Sequence, residues 1–565
     1  MKKINHLLTK EGENLTLNEY DVYPRPQLKR ESFLSLNGKW ELTAEGEKYE
    51  IIVPYPPQSL LSGVNKVFSD GATLIYKRSF SLSEGFVRDR VILNVGAIDT
   101  CAKIFLNGAL AFDGESCFIN ISVDITELLQ LEGENVLEIH TTDTLKGHEM
   151  PYGKQSYKRG GMWYTPISGI WQSVWLESVP KDYIKSIKID TGCDFCTISV
   201  EGISEGELLL RVGNRTIFYP FENGEIKLKI DEPIMWSPES PYLYTFEIRG
   251  GGDKVESYFA LRTIEAKEID GKKRLLLNGK PYFFHGLLDQ GYFSDGIYTP
   301  ASPDLYRCDV ENIKKLGFNT LRKHIKVEPE WFYYECDRQG VIVFQDMVNN
   351  GKYSFFHDTL LPTLGFKNLK GLKRSSEQRR QFASYMSKTV KQLYNHPCIC
   401  YWTIFNEGWG QFEGDGMYSL LRALDSSRII DTNSGWFGGN ASDVESLHVY
   451  FKPVKIKKSA KPIVLSEFGG YSQKIDGHVA NTKKSYGYKS FKSREALVNG
   501  LEKLYLGEIV PQIKDGLCGA IYTQLSDVED EINGIYTYDR RVLKVDAEKM
   551  LNIRKKIDEE MILIQ

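Results

Sequence analysis

Two rhythms of apolar and polar positions divide the chain, and the change between them falls near residue 275. Before it come short alternating runs such as RVILNVGA (90–97), CAKIFLNG (101–108), NVLEIHTT (135–142) and SVWLESV (173–179), separated by Asn-Gly and glycine-rich turns. A period of two marks half-buried strands, and so many of them without helical periodicity predict β-sandwiches. A boundary near Pro180 precedes a second set, YIKSIKI (183–189), GELLLRVG (206–213) and YLYTFEIRG (242–250). Its length of about 85 residues suits an immunoglobulin-like sandwich.

Beyond residue 275, short apolar strands alternate with amphipathic helices. The strands are PYFFHGLL (281–288), NTLRKH (319–324), VIVFQDM (341–347), CICYWTIFNE (398–407), RIIDTNS (428–434), ESLHVY (445–450), PIVLSEF (462–468) and GAIYTQLSD (519–527). Between them lie a helix carrying Leu305, Val310, Ile313 and Leu316, one opening at Pro329, and further helices over 375–396, 415–427 and 493–514. Eight β/α units predict a (β/α)8 TIM barrel, and without a GxGxxG loop nothing favours an open nucleotide-binding sheet. The helices of the fifth and sixth units are expected to be short or absent. The organisation is thus a multidomain β plus α/β protein: residues 1–180 a jelly-roll β-sandwich, 181–265 an immunoglobulin-like β-sandwich, and 266–565 the barrel.

Composition narrows the function. The 565 residues are 41% hydrophobic and 26% charged with a formal net charge of −4, which gives no field for nucleic acid. The start has basic residues but no apolar core of signal-peptide length, and no stretch reaches a membrane span, so a cytoplasmic protein without a membrane partner is expected. The nine cysteines are odd in number and scattered, and Cys398 and Cys400 lie inside an apolar strand, as reduced thiols would. Cys193 and Cys196 form a CxxC without a second ligand pair nearby, so no metal and no cofactor is expected. Whether the chain self-associates as a homo-oligomer is left open.

The candidate chemistry sits at two strand ends. CICYWTIFNEG delivers Asn406 and Glu407, and KPIVLSEFGG delivers Glu467, each before glycine. In a barrel the carboxyl ends of the strands share one mouth, so the two carboxylates would meet there. Paired carboxylates suit glycoside hydrolysis, one as proton donor and the other as nucleophile or base.

These strand ends, together with GFNTLR (317–322), resemble family 2 of the glycoside hydrolases, which holds β-galactosidases, β-glucuronidases and β-mannosidases. LNGKWEL (36–42), FLNGALAFDG (105–114), DITELLQLEGENVLEIH (124–140) and SGIWQSVWLE (168–177) resemble the sugar-binding jelly roll of that family, so the likeness covers nearly the whole chain. It implies a carbohydrate substrate, Glu407 as general acid/base, Glu467 as nucleophile, Asn406 on the sugar 2-hydroxyl, and Arg322 and Tyr450 as partners of the nucleophile. Several positions depart from the familiar members. The first strand is followed by Asp289 and Gln290 where a sugar-binding carboxylate pattern is common, and either is a candidate for hydroxyl recognition. His324 and Lys326 follow Arg322, and strand alternation would put all three on one face. With Lys352, Lys452 and Lys474 on loops, a cationic rim could seat a uronic acid. Trp409 and Trp436 are candidates to stack on sugar, and Tyr522 stands where a pocket tryptophan is common.

The resemblance implies a retaining exo-acting β-glycosidase for a β-galactoside or a β-hexuronide such as a galacturonide or glucuronide. A β-mannosidase, or a carbohydrate-binding protein without turnover, is the alternative. The loop from Tyr471 to Ser490 is a candidate lid.

Overall fold

The computed structural model describes residues 7–361, 374–436 and 441–564, so the basic opening of the chain lies outside it. In the N-terminal sandwich, a six-stranded antiparallel sheet sets Asn135–Thr142 between Thr73–Phe80 and Cys101–Leu106. A four-stranded sheet sets Val174–Val179 between Phe33–Ser35 and Arg90–Val95. Asn135–Thr142 buries every second residue, and its Leu137 and Ile139 join Leu93, Ile104 and Leu176 in the core between the sheets. The second sandwich faces a three-stranded sheet (Ser186–Thr191, Phe195–Glu201, Glu225–Lys229) with a four-stranded one (Arg215–Phe221, Gly206–Val212, Tyr244–Gly250, Asp253–Phe259). Ile198, Leu208, Phe246 and Val255 fill it. An antiparallel ribbon, Ile264–Ile269 with Lys272–Leu277, leads into the barrel and straddles residue 265.

Eight parallel strands then form the barrel: β1 (Phe284–Asp289), β2 (Thr320–Lys323), β3 (Ile342–Asp346), β4 (Ile399–Asn406), β5 (Ile429–Ser434), β6 (Glu445–Val449), β7 (Ile463–Gly469) and β8 (Leu517–Thr523). Their order, β5-β4-β3-β2-β1-β8-β7-β6, leaves one seam between β5 and β6, where Ser434 Oγ and Ser446 Oγ stand 3.3 Å apart. All eight positions of β4 are buried, as are all those of β7 and β8, because helices cover one face and the barrel core the other. This is why these strands read as continuous apolar runs.

The helices follow the predicted pattern. They are α1 (Asp304–Lys315), α2 (Glu330–Gln339), α3 (Ser376–Leu393), α4 (Gly414–Leu424) and α5 (Arg494–Leu504). Leu305, Val310 and Ile313 form the buried stripe of α1. Ser375 and Gln378 close a capping box on α3, and Gly340, at φ 75°, ends α2 in the left-handed conformation that glycine tolerates best. Among the described residues no helix follows β5 or β6, and a final helix, α6 (Ala547–Ile562), follows β8. No helix of the described residues is long and apolar enough to cross a membrane.

One connection of the first sandwich, between Asn135–Thr142 and Gly169–Ile170, reaches over the barrel mouth. The Tyr152 N–H donates to the Asn349 carbonyl at 3.0 Å, its hydroxyl donates to the Gly351 carbonyl at 2.9 Å, and the Thr165 N–H donates to Glu529 Oε1 at 2.8 Å. Gly153 lies so near the Ile325 carbonyl that a Cβ there would stand 2.9 Å from it, and its φ of 61° also favours glycine.

Candidate active site

Arg322, next to last in β2 and fully enclosed, is the hub of the barrel mouth. Its Nε donates to Asp346 Oδ1 at 3.0 Å, Nη1 to Glu467 Oε1 at 2.9 Å and to the Ser466 carbonyl at 3.1 Å, and Nη2 to Asn406 Oδ1 at 2.8 Å. One guanidinium therefore ties together the ends of β2, β3, β4 and β7. Its planar fork makes several charge-assisted bonds in fixed directions, which a lysine could not copy. Binding the Asn406 carbonyl also turns the amide nitrogen of that side chain away from the guanidinium.

Glu467 is buried, and Tyr450 donates its hydroxyl to Oε2 while Thr523 Oγ1 stands 3.1 Å from the same hydroxyl. Burial alone pushes the Glu467 carboxyl up, but the neighbouring His448, Arg322 and His324 and the Tyr450 bond outweigh it, holding the group below the usual carboxylate range. Burial and the same carboxylate push the Tyr450 phenol well up, so it stays a donor.

Glu407 follows the last residue of β4. Its N–H donates to the Ser434 carbonyl at 2.9 Å, and its φ of 52° places a non-glycine residue in the left-handed region, a conformation that concentrates at functional sites. The Trp436 indole N–H donates to the Glu407 carbonyl at 3.1 Å, leaving the carboxylate to His448, whose Nδ1 stands 2.8 Å from Oε1. The other nitrogen, Nε2, is 3.0 Å from Ser434 Oγ and 3.6 Å from Glu467 Oε1. One donor atom each from Glu407, His448 and Glu467 lies within 4.8 Å of the others. Such a triad has the composition of a metal site, but the Arg322 cation already occupies the charge of Glu467, so the donors fit a proton-transfer pair better than an ion.

The other predicted residues divide. His324 Nδ1 is 2.7 Å from Asp346 Oδ2, and burial lowers the proton affinity of the ring while the bond to Asp346 raises it. Burial would raise Asp346, but Arg322 and His324 bring it below the usual range. The structure does not bring Lys326 to the glutamates. The strand ends at Lys323, and Ile325, with φ 53°, breaks the alternation that would have aligned Arg322, His324 and Lys326. Lys326 instead pairs with Glu328 at 2.8 Å and lies against the Trp171 and Tyr298 rings. Asp289 is taken by Lys323 at 2.5 Å, while Gln290 is buried beside it in sequence with its Oε1 unbonded. Lys352, Lys452 and Lys474 are exposed.

Trp436 lies against the His448 ring, 5.5 Å between centroids, and Trp409 packs edge-on to Trp163 and Tyr152 beneath the sandwich loop. Tyr522 is turned away from the pair. Thr523 reaches Tyr450, so by strand alternation its neighbour faces the helix layer, where it meets Phe468 and Tyr505. In the Tyr471–Ser490 loop, Tyr488 stacks on Tyr450 at 3.7 Å, and the loop is pinned by Tyr486 N–H to Asp530 O and Tyr488 N–H to Gly470 O.

His448 and Asp346 are site residues the sequence reading missed. His448 precedes Tyr450 by two, so strand alternation counted back from the tyrosine would have found it.

Comparison with known proteins agrees with this architecture. Family models match the chain in three places: "Glycosyl hydrolase 2 galactose-binding domain-like" over residues 65–168, "Glycosyl hydrolases family 2" over 188–262, and "Glycosyl hydrolases family 2, TIM barrel domain" over 268–491. A β-glucuronidase of Chlorocebus aethiops is 26% identical over 435 residues, 66% of this chain and 62% of that one, so the match stops short of two thirds of the length of that relative. The structure of a β-D-glucuronidase from Dictyoglomus thermophilum superposes with a TM-score of 0.74 at 19% identity, covering 95% of this chain and 98% of that one. A GH2 β-galacturonidase from Eisenbergiella tayi, bound to galacturonate, gives 0.68 at 18% identity, covering 95% and 99%. At these identities the two structural matches speak for the fold.

Proposed function

The chain belongs to family 2 of the glycoside hydrolases, and from that premise we propose that it is a retaining, exo-acting β-glycosidase that removes one terminal β-linked sugar by double displacement. The observation that carries the reading is the pairing of Glu467, held ionised by Arg322, with a Glu407 oxygen within 4.8 Å. Retaining enzymes hold their two carboxyl groups about 5–5.5 Å apart, whereas inverting enzymes leave room for a water between them.

In the first step Glu467 attacks the anomeric carbon, its C–O bond forms as the bond to the leaving oxygen breaks, and Glu407 gives that oxygen its proton. In the second, Glu407 takes a proton from water, the water oxygen attacks the anomeric carbon, and the Glu467 ester is released as carboxylate. The amide nitrogen of Asn406, turned from Arg322, would donate to the sugar 2-hydroxyl, a contact that strengthens toward the transition state. The sandwich loop supports attack at a chain end, because its bonds to Gly351 after β3 and Glu529 after β8 set it beside the mouth as a wall against a continuing chain. Nine unpaired cysteines support a reducing compartment, the cytoplasm.

The test is turnover of a panel of nitrophenyl glycosides. Glu467→Gln is expected to lose roughly 10⁴-fold or more on every substrate the wild-type protein cleaves, since a carboxamide does not form the glycosyl ester. A variant with near-normal turnover would remove Glu467 from the mechanism.

A further inference from the structure

Lys154 differs from every other buried lysine of the described residues. Lys323 has Asp289 at 2.5 Å and Glu328 at 2.9 Å, Lys326 has Glu328 at 2.8 Å, and Lys544 has Asp527 at 2.6 Å. Lys154 is 8% exposed, and among the described residues no carboxylate lies within 4.0 Å of its Nζ and no side chain or carbonyl accepts from it. A buried ammonium left without a counter-ion is strongly unfavourable, so the fold places it for something that arrives.

Its place in the fold says what. Lys154 follows Gly153, which is wedged against the Ile325 carbonyl after β2, and its own carbonyl accepts from the Tyr164 N–H at 3.0 Å. That bond ties the two arms of the sandwich loop together, and Tyr164 donates its hydroxyl to Glu531 after β8. The Lys154 charge acts on both His324 and Glu531, and Glu531 in turn feels Glu467. Glu531 does not consume the lysine. Its Oε2 takes the Tyr164 hydroxyl and its Oε1 takes Asn533 Nδ2 at 3.0 Å.

In the strand order, β8 stands across the barrel from β4, which carries Asn406. In a pyranose the 2-hydroxyl and the C5 substituent lie on opposite sides of the anomeric carbon. A sugar with its 2-hydroxyl at Asn406 therefore turns C5 toward the flank where Lys154 waits.

We propose that Lys154 seats the carboxylate of a terminal β-linked hexuronic acid, so that the sandwich domain supplies the substrate selectivity of the barrel. The proposal rests on the glycosidase reading of Glu407 and Glu467. A carboxylate suits the site better than a neutral hydroxyl because only an anion offsets the buried charge by a charge-assisted bond.

Lys154→Met and Lys154→Gln, assayed on nitrophenyl β-galacturonide and β-glucuronide against the matching β-galactoside and β-glucoside, test it. Wild-type protein should prefer the uronides. Both variants should lose on the order of 10²-fold in kcat/KM on uronides and stay within about threefold on hexosides, the signature of a buried charge pair with the substrate. Equal loss on both classes, no loss on uronides, or wild-type preference for hexosides would overturn the seat. Removing an unpaired charge should leave the thermal midpoint of Lys154→Met at or above that of wild type, and the glutamine variant decides the matter if the methionine variant does not fold.

Calorimetric titration with free galacturonic acid, glucuronic acid and galactose separates the two readings. Uronate binding that needs Lys154 in a protein without turnover would leave the seat and remove the glycosidase. Glycoside turnover with uronide kcat/KM and uronate binding unchanged in both Lys154 variants would do the reverse.

Discussion

Glu407 and Glu467 end similar apolar strands, yet their surroundings differ in kind. Glu467 is held by a guanidinium and a phenol, and its side chain is 6% accessible. Glu407 is 16% accessible, rests on left-handed backbone and, among the described residues, has one imidazole as carboxylate partner. A permanent cation fixes a charge, whereas an imidazole can donate to a carboxylate or accept from a carboxylic acid, following the proton either way. Two strand ends that read alike in sequence are told apart by what folds around them.

Changes to the partners break or sharpen this contrast. After loss of Glu467 itself, the largest effect is expected at Glu407. Glu407→Ala should lose about 10²- to 10⁴-fold on substrates with poor leaving groups and little on those with good ones, because only the former need the proton. A loss uniform across leaving groups, read from a series of aryl glycosides, would contradict the acid/base role.

Next is Arg322→Gln. With Arg322 present, Glu467 lies below the usual carboxylate range and remains ionised until the pH falls well into acid. Without it the carboxyl rises, and the acid limb of kcat/KM should move to higher pH. The stability linked to Glu467 has the same sign: it is present above the unfolded carboxylate pKa and is lost as pH falls through the lower folded one. Loss of one partner of a buried pair should also cost about 3–5 kcal/mol in denaturant unfolding at neutral pH. An unmoved acid limb would show that another group holds the charge.

The smallest effect is expected at His448→Asn, where misplacing Glu407 should cost roughly 10- to 10²-fold. Because His448 bonds Glu407 and is also the foremost of the groups that hold Glu467 low, both limbs should move, the acid limb toward higher pH. A rate loss with both limbs in place would leave His448 as packing alone.

Much of this was legible in the chain. The eight strands announced themselves because burial on both faces demands unbroken apolar runs, as in Ile399–Asn406, and α1 because one stripe of Leu305, Val310 and Ile313 must face the barrel. Glu407, Glu467, Asn406, Arg322 and Tyr450 could be placed together because they sit at the carboxyl ends of barrel strands, and the hydrogen bonds of Arg322 and Tyr450 link all but Glu407, which His448 bridges to Glu467 at 2.8 and 3.6 Å.

What escaped were features set by a single residue or by another domain. Left-handed Ile325 sends Lys326 to Glu328 and Trp171, and a shift of one along β8 exchanges Tyr522 for Thr523 at the mouth. α6 follows β8 without having been foreseen, and Lys154 enters from the sandwich, where no barrel periodicity could point to it.

The central claim is that Glu467 forms a bond to the sugar and Glu407 does not. An activated 2-deoxy-2-fluoro glycoside of the preferred sugar slows release of the ester more than its formation, so the protein can be digested and the labelled peptide sequenced by mass spectrometry. The account predicts one sugar per chain, on the peptide that contains Glu467, with the label lost on prolonged incubation as activity returns. A label on Glu407, or inversion of configuration at the anomeric carbon with no label at all, would contradict it.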